Sequence, residues 1–267
     1  MSTLDNSTLL TLNKQRQVEA LRGIFPDKSI SDDISLGEIA EYMQWAGGLA
    51  PMQMACVGKN SGMEDYGQLV FFTGPQWDAM SSNQKSNYVQ IGVRVRAERQ
   101  DFLVSKSDML NGTANTMIWS SENQNVPDLK DYGVNSTGIF DDFDAEGMTD
   151  AVCTWKATRS ATYLPATLSR AWKGCTQASD GVDDPVTWSC ATIAHLHLMA
   201  RYRTQINAFI DQYLGNAYIL GSAYYYSINE YDASYAWRCH LGSGQVSPTA
   251  NKGTTGSTAR VRAVSSI

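Results

Sequence analysis

The chain is poor in charge, and no stretch of it gathers basic residues. Only 18% of its 267 residues are Asp, Glu, Lys or Arg, and 21 basic against 27 acidic residues leave a net charge of −6. A nucleic-acid surface needs clustered Lys and Arg to displace counterions from phosphates. The densest basic stretch, Arg94, Arg96 and Arg99, has instead the alternation of one solvated strand face. No nucleic-acid partner is expected. No apolar run approaches the roughly 18 residues that a membrane-spanning helix requires, so no membrane insertion is expected. The N-terminus, Met1 to Thr8, lacks a basic stretch followed by an apolar one, and no secretory leader is expected. Sequons at Asn6, Asn111 and Asn135 matter only in a eukaryotic secretory pathway and are read as chance.

Motifs of catalysis are also missing. There is no Gly-rich phosphate loop, no Gly-x-Ser-x-Gly elbow and no Ser-His-Asp order. The five cysteines, Cys56, Cys153, Cys175, Cys190 and Cys239, are odd in number and contain no Cys-x-x-Cys pair. That pattern suits reduced, mostly buried thiols made in a cytosol, with bridges from Cys153 or Cys175 to Cys190 as the alternative. His195 and His197 suggest a metal pair, but on a helix their spacing turns them about 200° apart. Asp142, Asp144, Glu146, Gly147 and Asp150 copy the first half of a calcium loop, yet Cys153 stands where a bidentate Glu is required. The bland reading is an acidic surface turn. No cofactor, metal site or catalytic residue is expected, although a hydrolase could assemble carboxylates from distant positions.

What the chain does contain divides it in three. Residues 1–50 read as a helical arm: Val18, Leu21 and Ile24 recur at helical spacing up to Pro26, then Ser35 with Glu38 forms a capping box ahead of Leu36, Ile39 and Met43, stopped by Gly47-Gly48. Such helices pack on their own chain, on symmetry mates or on a larger assembly. Residues 51–110 read as a small α/β module. Gln68 to Phe72 is an apolar strand, Thr73 and Pro75 open a helix bearing Trp77 and Met80, Ser86 to Gln90 is helical, and Val93 to Ser105 folds back at Glu98-Arg99-Gln100 as a hairpin. From 111 to 267 the chain is loop-rich. Helices are expected from Leu168 to Cys175 and from His195 to Leu214, where Leu198, Tyr202, Ile206, Phe209, Ile210 and Tyr213 form one stripe. Strands follow near 224–228, 234–241, 245–249 and 259–265.

The most informative stretch is the run from Tyr224 to Trp237. Tyr224, Tyr225, Tyr226, Tyr231, Tyr235 and Trp237 are interleaved with Ser227, Asn229, Asp232 and Ser234. Tyr and Trp supply stiff contact area with a polar tip, and Ser, Asn and Asp supply adaptable hydrogen bonds, which is the composition of a binding surface. A single Tyr serves equally well on the buried face of a strand.

The order aromatic-Tyr-Ser, Glu230-Tyr231, Ala236-Trp237, Gly242-Ser-Gly244, Lys252 and Arg260-Val-Arg-Ala263 resembles the C-terminal signature of the C-type-lectin-like fold. That fold is shared by formylglycine-generating enzymes and the variable proteins of diversity-generating retroelements. Asp144 to Asp150, Tyr163-Leu-Pro165 and Thr192 to Leu196 resemble its earlier part, so the match spans roughly the last half of the chain. Tyr226-Ser227-Ile228 departs from the usual Trp-Ser-Ser. The enzymatic branch uses cysteines near the end of the domain, where Cys239 stands alone, so that activity is not carried over. Trp237 and Arg262 sit at recurrent motif positions, which implies a core role for the first and a strand-bridging role for the second. Upstream, Val70 to Trp77, Lys85 to Tyr88, Gly92 to Ala97 and Asp101 to Val104 resemble a module of virion proteins from phages of gut Bacteroidales, including the crAss-like group.

The resulting expectation is an α+β protein: a helical arm, an α/β module and a lectin-like domain with a mostly antiparallel sheet and two flanking helices. The resemblance implies a non-enzymatic virion surface protein, a head fibre or capsid decoration assembled in the host bacterial cytoplasm. It implies self-association as a homotrimer and contact with capsid or tail proteins through the N-terminal region. Glycans or a host surface are the expected ligands of the C-terminal domain, through Tyr225, Asn229, Glu230, Tyr231, Asp232, Tyr235 and Trp237, because aromatic rings stack on sugars while Asn, Asp and Glu bond their hydroxyls. The alternatives are a purely structural capsid or tail protein, a tail receptor-binding protein and a glycan-cleaving enzyme.

Overall fold

The structure, a computed structural model, describes residues 14–15, 17–19, 21–22, 30–32, 35, 38–39, 48–129, 132–133, 137–253 and 257–267. The chain divides into two compact units. One comprises Met1–Pro51 with Val95–Asp101, and the other Met52–Arg94 with Phe102–Ile267. The class is α+β, as expected.

In the first unit, the described residues between Lys14 and Arg22 are helical, and Val18 and Leu21 of the expected stripe are buried. The Arg22 guanidinium donates to the Ile30 carbonyl (Nε at 3.0 Å) and to Asp32 (2.9 Å). The capping box forms: Ser35 N–H donates to Glu38 Oε2 at 2.7 Å, and Glu38 N–H to Ser35 Oγ at 3.1 Å. Ile24, Pro26, Leu36, Met43 and Gly47 lie outside the described residues. Ala50 N–H donates to Arg96 O, and Glu98 N–H to Gly48 O. Glu98 and Arg99 both have positive φ, 49° and 70°, which is the two-residue turn that matches strand twist in a hairpin.

The second unit holds the smaller sheet and all of the larger one except the strand residues within Val95–Asp101, which belong to the first unit. The larger has the order β2-β1-β3-β4-β9-β5, with β1 Gln53–Gly58, β2 Leu69–Thr73, β3 Tyr88–Ala97, β4 Gln100–Asp108, β5 Ser189–Cys190 and β9 Arg262–Ser266. β1 is covered on both faces, which explains the unbroken apolar run Met54 to Val57. The β1–β3 register slips so that Ala55 faces Gly92 and Cys56 faces Gln90, leaving Ile91 as a bulge. Gly92 is required beside it, since a Cβ there would lie 2.3 Å from Val104 O. Between β2 and β3, Thr73 caps α1 (Gly74–Ala79) and Ser81 caps α2 (Ser82–Lys85), each in a reciprocal box with a Gln three residues on. The helix expected over 86–90 does not form. Ser86 closes α2, and Tyr88 to Gln90 enter β3 because β1 offers them ladder partners.

The large sheet crosses position 110. β4 pairs with β9 from the end of the chain (Phe102 with Ser266, Val104 with Val264), so one hydrogen-bond ladder joins both sides of it. The smaller sheet, β6-β7-β8, comprises Tyr224–Glu230, Tyr235–His240 and Gln245–Asn251.

Helices cover the sheets. α3 (Ala145–Lys156) starts where Asp144 accepts the Gly147 N–H at 2.9 Å, so the acidic run begins a helix and does not form an open ligand loop. Asp150 is paired with Arg170. α4 spans Leu164–Ala171, earlier than expected, with Pro165 in its first turn, where no N–H is needed. A single-turn α5 (Gln177–Asp180) follows. The helix expected from His195 to Leu214 is two, α6 (Ile193–Arg201) and α7 (Arg203–Tyr213), broken at Tyr202. No Gly or Pro marks the break. α7 is re-aimed so that Arg203 Nε donates to Leu220 O at 2.9 Å, and Asn207 meets both the N–H and the carbonyl of Leu220.

All five cysteines are free, and Cys153 alone is not fully buried. Among the described residues no helix is long and apolar enough to cross a membrane, and no group of three His, Cys, Asp or Glu could hold a metal. His195 and His197 part as their spacing predicts. His197 packs on Phe140, while His195 is buried between Phe102 and Phe143 at 4.8 and 4.9 Å.

Burial lowers the His195 pKa to about 3. The unfolded imidazole titrates near 6.5, so between these values the unfolded state binds one proton more and stability falls as pH falls. Chemical denaturation between pH 6.5 and 5 is expected to show a slope approaching ~1.4 kcal/mol per pH unit from this residue. His195→Gln is expected to flatten it; an unchanged slope would show that other groups set the acid sensitivity.

Candidate functional site

The Tyr-rich stretch forms the β6–β7 hairpin, and its residues separate into two populations. β6 is buried along almost its whole length, so successive side chains are enclosed on both faces. Tyr225, Asn229, Glu230 and Trp237, expected on the binding surface, are buried.

Each has a partner that explains its burial. Tyr225 donates its hydroxyl to Asp108 Oδ2 at 3.1 Å and accepts the Gly221 N–H at 3.0 Å; burial and the neighbouring Asp108 carboxylate push its pKa up. Asp108 also receives Arg260 (3.2 Å) and Arg262 (2.9 Å), and Arg262 reaches the carbonyls of Lys106 and Tyr218. Arg262 thus bridges strands, as its motif position implies. Asn229 Oδ1 accepts the N–H of Ile193, the first residue of α6, at 2.7 Å. Trp237 donates Nε1–H to Tyr132 O at 2.9 Å.

Glu230 has the most demanding position. Its side chain and that of Lys252 are both fully buried and ion-paired. The second carboxylate oxygen accepts the Val126 N–H at 3.0 Å, and the ammonium donates to Gln124 O at 3.0 Å and lies 4.9 Å from the Trp119 ring centre. Trp119 in turn donates to Ser227 O at 2.9 Å and packs edge-on against Tyr163. Tyr163 donates to Glu122, whose carboxyl is held below its ordinary pKa by hydrogen bonds from Arg159 first and Tyr163 second. Sequence reasoning singled out Glu230 for ligand contact and Lys252 only as a motif position.

Tyr231, Asp232 and Tyr235 remain at the end of the hairpin, within reach of solvent. Tyr231 N–H donates to Tyr235 O at 3.0 Å, and Asp232 Oδ1 accepts the N–H groups of Ser234 (2.7 Å) and Tyr235 (2.9 Å). The Tyr231 ring meets Tyr235 at 6.5 Å and Trp237 at 5.5 Å, both edge to face. Trp237 is therefore the floor under Tyr231, which in turn meets Tyr235. Tyr235, 37% exposed, is the outermost ring, and it pairs across the sheet with Asn251. Asn123 approaches from the next loop, accepting the Gly253 N–H at 3.2 Å. Cys239 is remote from such chemistry: burial pushes its thiol up to about 12, and Sγ faces Leu196 O.

Removing one member of a buried ion pair strands a charge, at a cost of about 3–5 kcal/mol, whereas replacing both with apolar groups is often close to neutral. Thermal and denaturant unfolding of Glu230→Leu and Lys252→Met should each show a loss in that range. The double variant should recover most of it, and additive losses would show that the two side chains act independently.

No protein-family model matches the chain, and no curated protein matches its sequence. Among solved structures, a fimbrial protein from Bacteroides ovatus ATCC 8483 is similar with a TM-score of 0.48 and 11% identity; the match covers 62% of this chain and 36% of that one.

Proposed function

We propose that the chain is a non-enzymatic surface protein that binds carbohydrate at the end of the β6–β7 hairpin, through Tyr231, Asp232 and Tyr235. The observation that carries this reading is the combination of access with rigidity. Tyr231 stands on Trp237 and meets Tyr235, and the turn between the two tyrosines is held by the Asp232 side chain and the main chain. Rings ordered before a ligand arrives lose little freedom on binding, which favours affinity from a small contact area. A flat tyrosine face suits the apolar face of a sugar ring. Asn251 and Asn123 nearby, and the Asp232 carboxylate, suit its hydroxyls.

The setting rests on the sequence resemblance to virion proteins with lectin-like C-terminal domains. On that resemblance the proposed setting is a phage particle, with the chain a head fibre or decoration, self-associated as a trimer, and its N-terminal region toward capsid or tail proteins. The closure of the second unit by β4–β9 and the paired helices α3 and α4 are compatible with a lectin-like domain.

Tyr231→Ala with Tyr235→Ala is expected to weaken binding to the best ligand of a glycan array by about tenfold or more, about 1.4 kcal/mol, without altering the circular dichroism spectrum. Unchanged affinity would remove the hairpin from the reading. Loss of particle incorporation with no glycan bound by the intact chain would favour the purely structural role.

A further inference from the structure

A recessed surface elsewhere on the second unit is built from the opposite chemistry. A cavity of about 470 Å³ lies beside β3 and the two short helices α1 and α2, and is lined by Lys59, Lys85, Lys106, Trp77, Tyr88 and Asp180, among others. Its volume falls in the range of small-ligand sites. Three of the nine lysines of a chain with net charge −6 converge on it. Lys59 follows the end of β1, Lys85 ends α2, and Lys106 projects from β4.

None of these three lysines is in an ion pair among the described residues, and Asp180 is the single acidic residue of the lining. The ammonium groups rest on rings instead: Lys106 lies 4.6 Å from the centre of Tyr218, and Lys85 lies 5.8 Å from that of Trp77. A ring face holds a cation without neutralising it. Lysines gathered in a concave surface with apolar walls focus positive potential inward. The wall itself is aromatic, with Phe72 packed between Trp77 at 5.8 Å and Tyr88 at 4.9 Å. The Tyr88 hydroxyl is committed to Asp65 at 2.8 Å, which fixes the ring.

We propose that this cavity binds an acidic saccharide, its carboxylate or sulfate met by Lys59, Lys85 and Lys106 and its ring placed against Trp77 and Tyr88. A polyanion such as nucleic acid is disfavoured, because the charge is confined to one small cavity on an acidic chain. A free inorganic anion would make no use of the aromatic wall. The site shares no residue with the hairpin tip, so the two stand or fall separately.

The test is calorimetric titration of the full chain with oligogalacturonate, sulfated dextran, neutral dextran and inorganic sulfate, at low and raised salt. The acidic saccharides should bind, weaken with salt, and lose at least tenfold in affinity in Lys59→Ala with Lys106→Ala. Lys59→Arg with Lys106→Arg should retain binding, and Trp77→Ala should weaken the saccharides alone. Neutral dextran bound as tightly as the acidic probes and weakened equally by the lysine substitutions, lysine-to-alanine variants that bind the acidic probes like the parent, or no binding by the intact chain would overturn the proposal. Inorganic sulfate bound as tightly as the saccharides would overturn the saccharide assignment.

Discussion

A carboxylate and an ammonium taken fully out of water, Glu230 against Lys252, set the terms for the C-terminal half of the chain. Neither charge is tolerable there without hydrogen bonds to its remaining valences. The protein meets that demand from distant segments: Val126 N–H for the carboxylate, Gln124 O and the Trp119 ring for the ammonium. The loop at 119–126 is thereby tied to both outer strands of the small sheet. Tyr132 N–H, bonded to Glu230 O, extends the tie to the main chain that supports Trp237. The hairpin tip projects from this point, so its tyrosines inherit a fixed base.

Asp108 organises the other end of β6 on the same principle. One carboxylate at the end of β4 collects Tyr225, Arg260 and Arg262 and so binds the first strands of the chain to its last. The two clusters sit at opposite ends of β6, at Tyr225 and at Glu230. Between them Asn229 fastens the strand to the first turn of α6. A strand polar in sequence is thus buried along nearly its whole length, with its polarity spent on internal bonds.

That inversion explains why the site was only partly legible in the sequence. Local signals were read well where the physics is local. The box at Ser35–Glu38, the helix opened by Thr73 and Pro75, the turn at Glu98-Arg99 and the strands around 224–251 depend on neighbours within a few residues. Binding residues were harder to assign, because Tyr, Asn and Glu carry the same letters whether they face a ligand or a partner a hundred positions away. Glu230 and Val126 are 104 residues apart, and Tyr225 and Asp108 are 117 apart. The break at Tyr202 and the pairing of β4 with the C-terminal strand were illegible for the same reason, since Leu220 and the end of the chain impose them from afar.

The division of labour along the Tyr-rich stretch also bears on how the tip could vary. Residues whose side chains are spent on buried bonds, such as Tyr225, Asn229, Glu230 and Trp237, cannot change without leaving a donor, an acceptor or a charge unmet. Tyr231 and Tyr235 contribute side chains to solvent and to each other, while the turn beneath them is held by Asp232 and by main-chain bonds that do not depend on their identity. Substitution at those two positions therefore alters what the surface presents at little cost to the fold. Such a separation, with polar letters locked inside and replaceable rings outside, lets one scaffold carry different recognition surfaces.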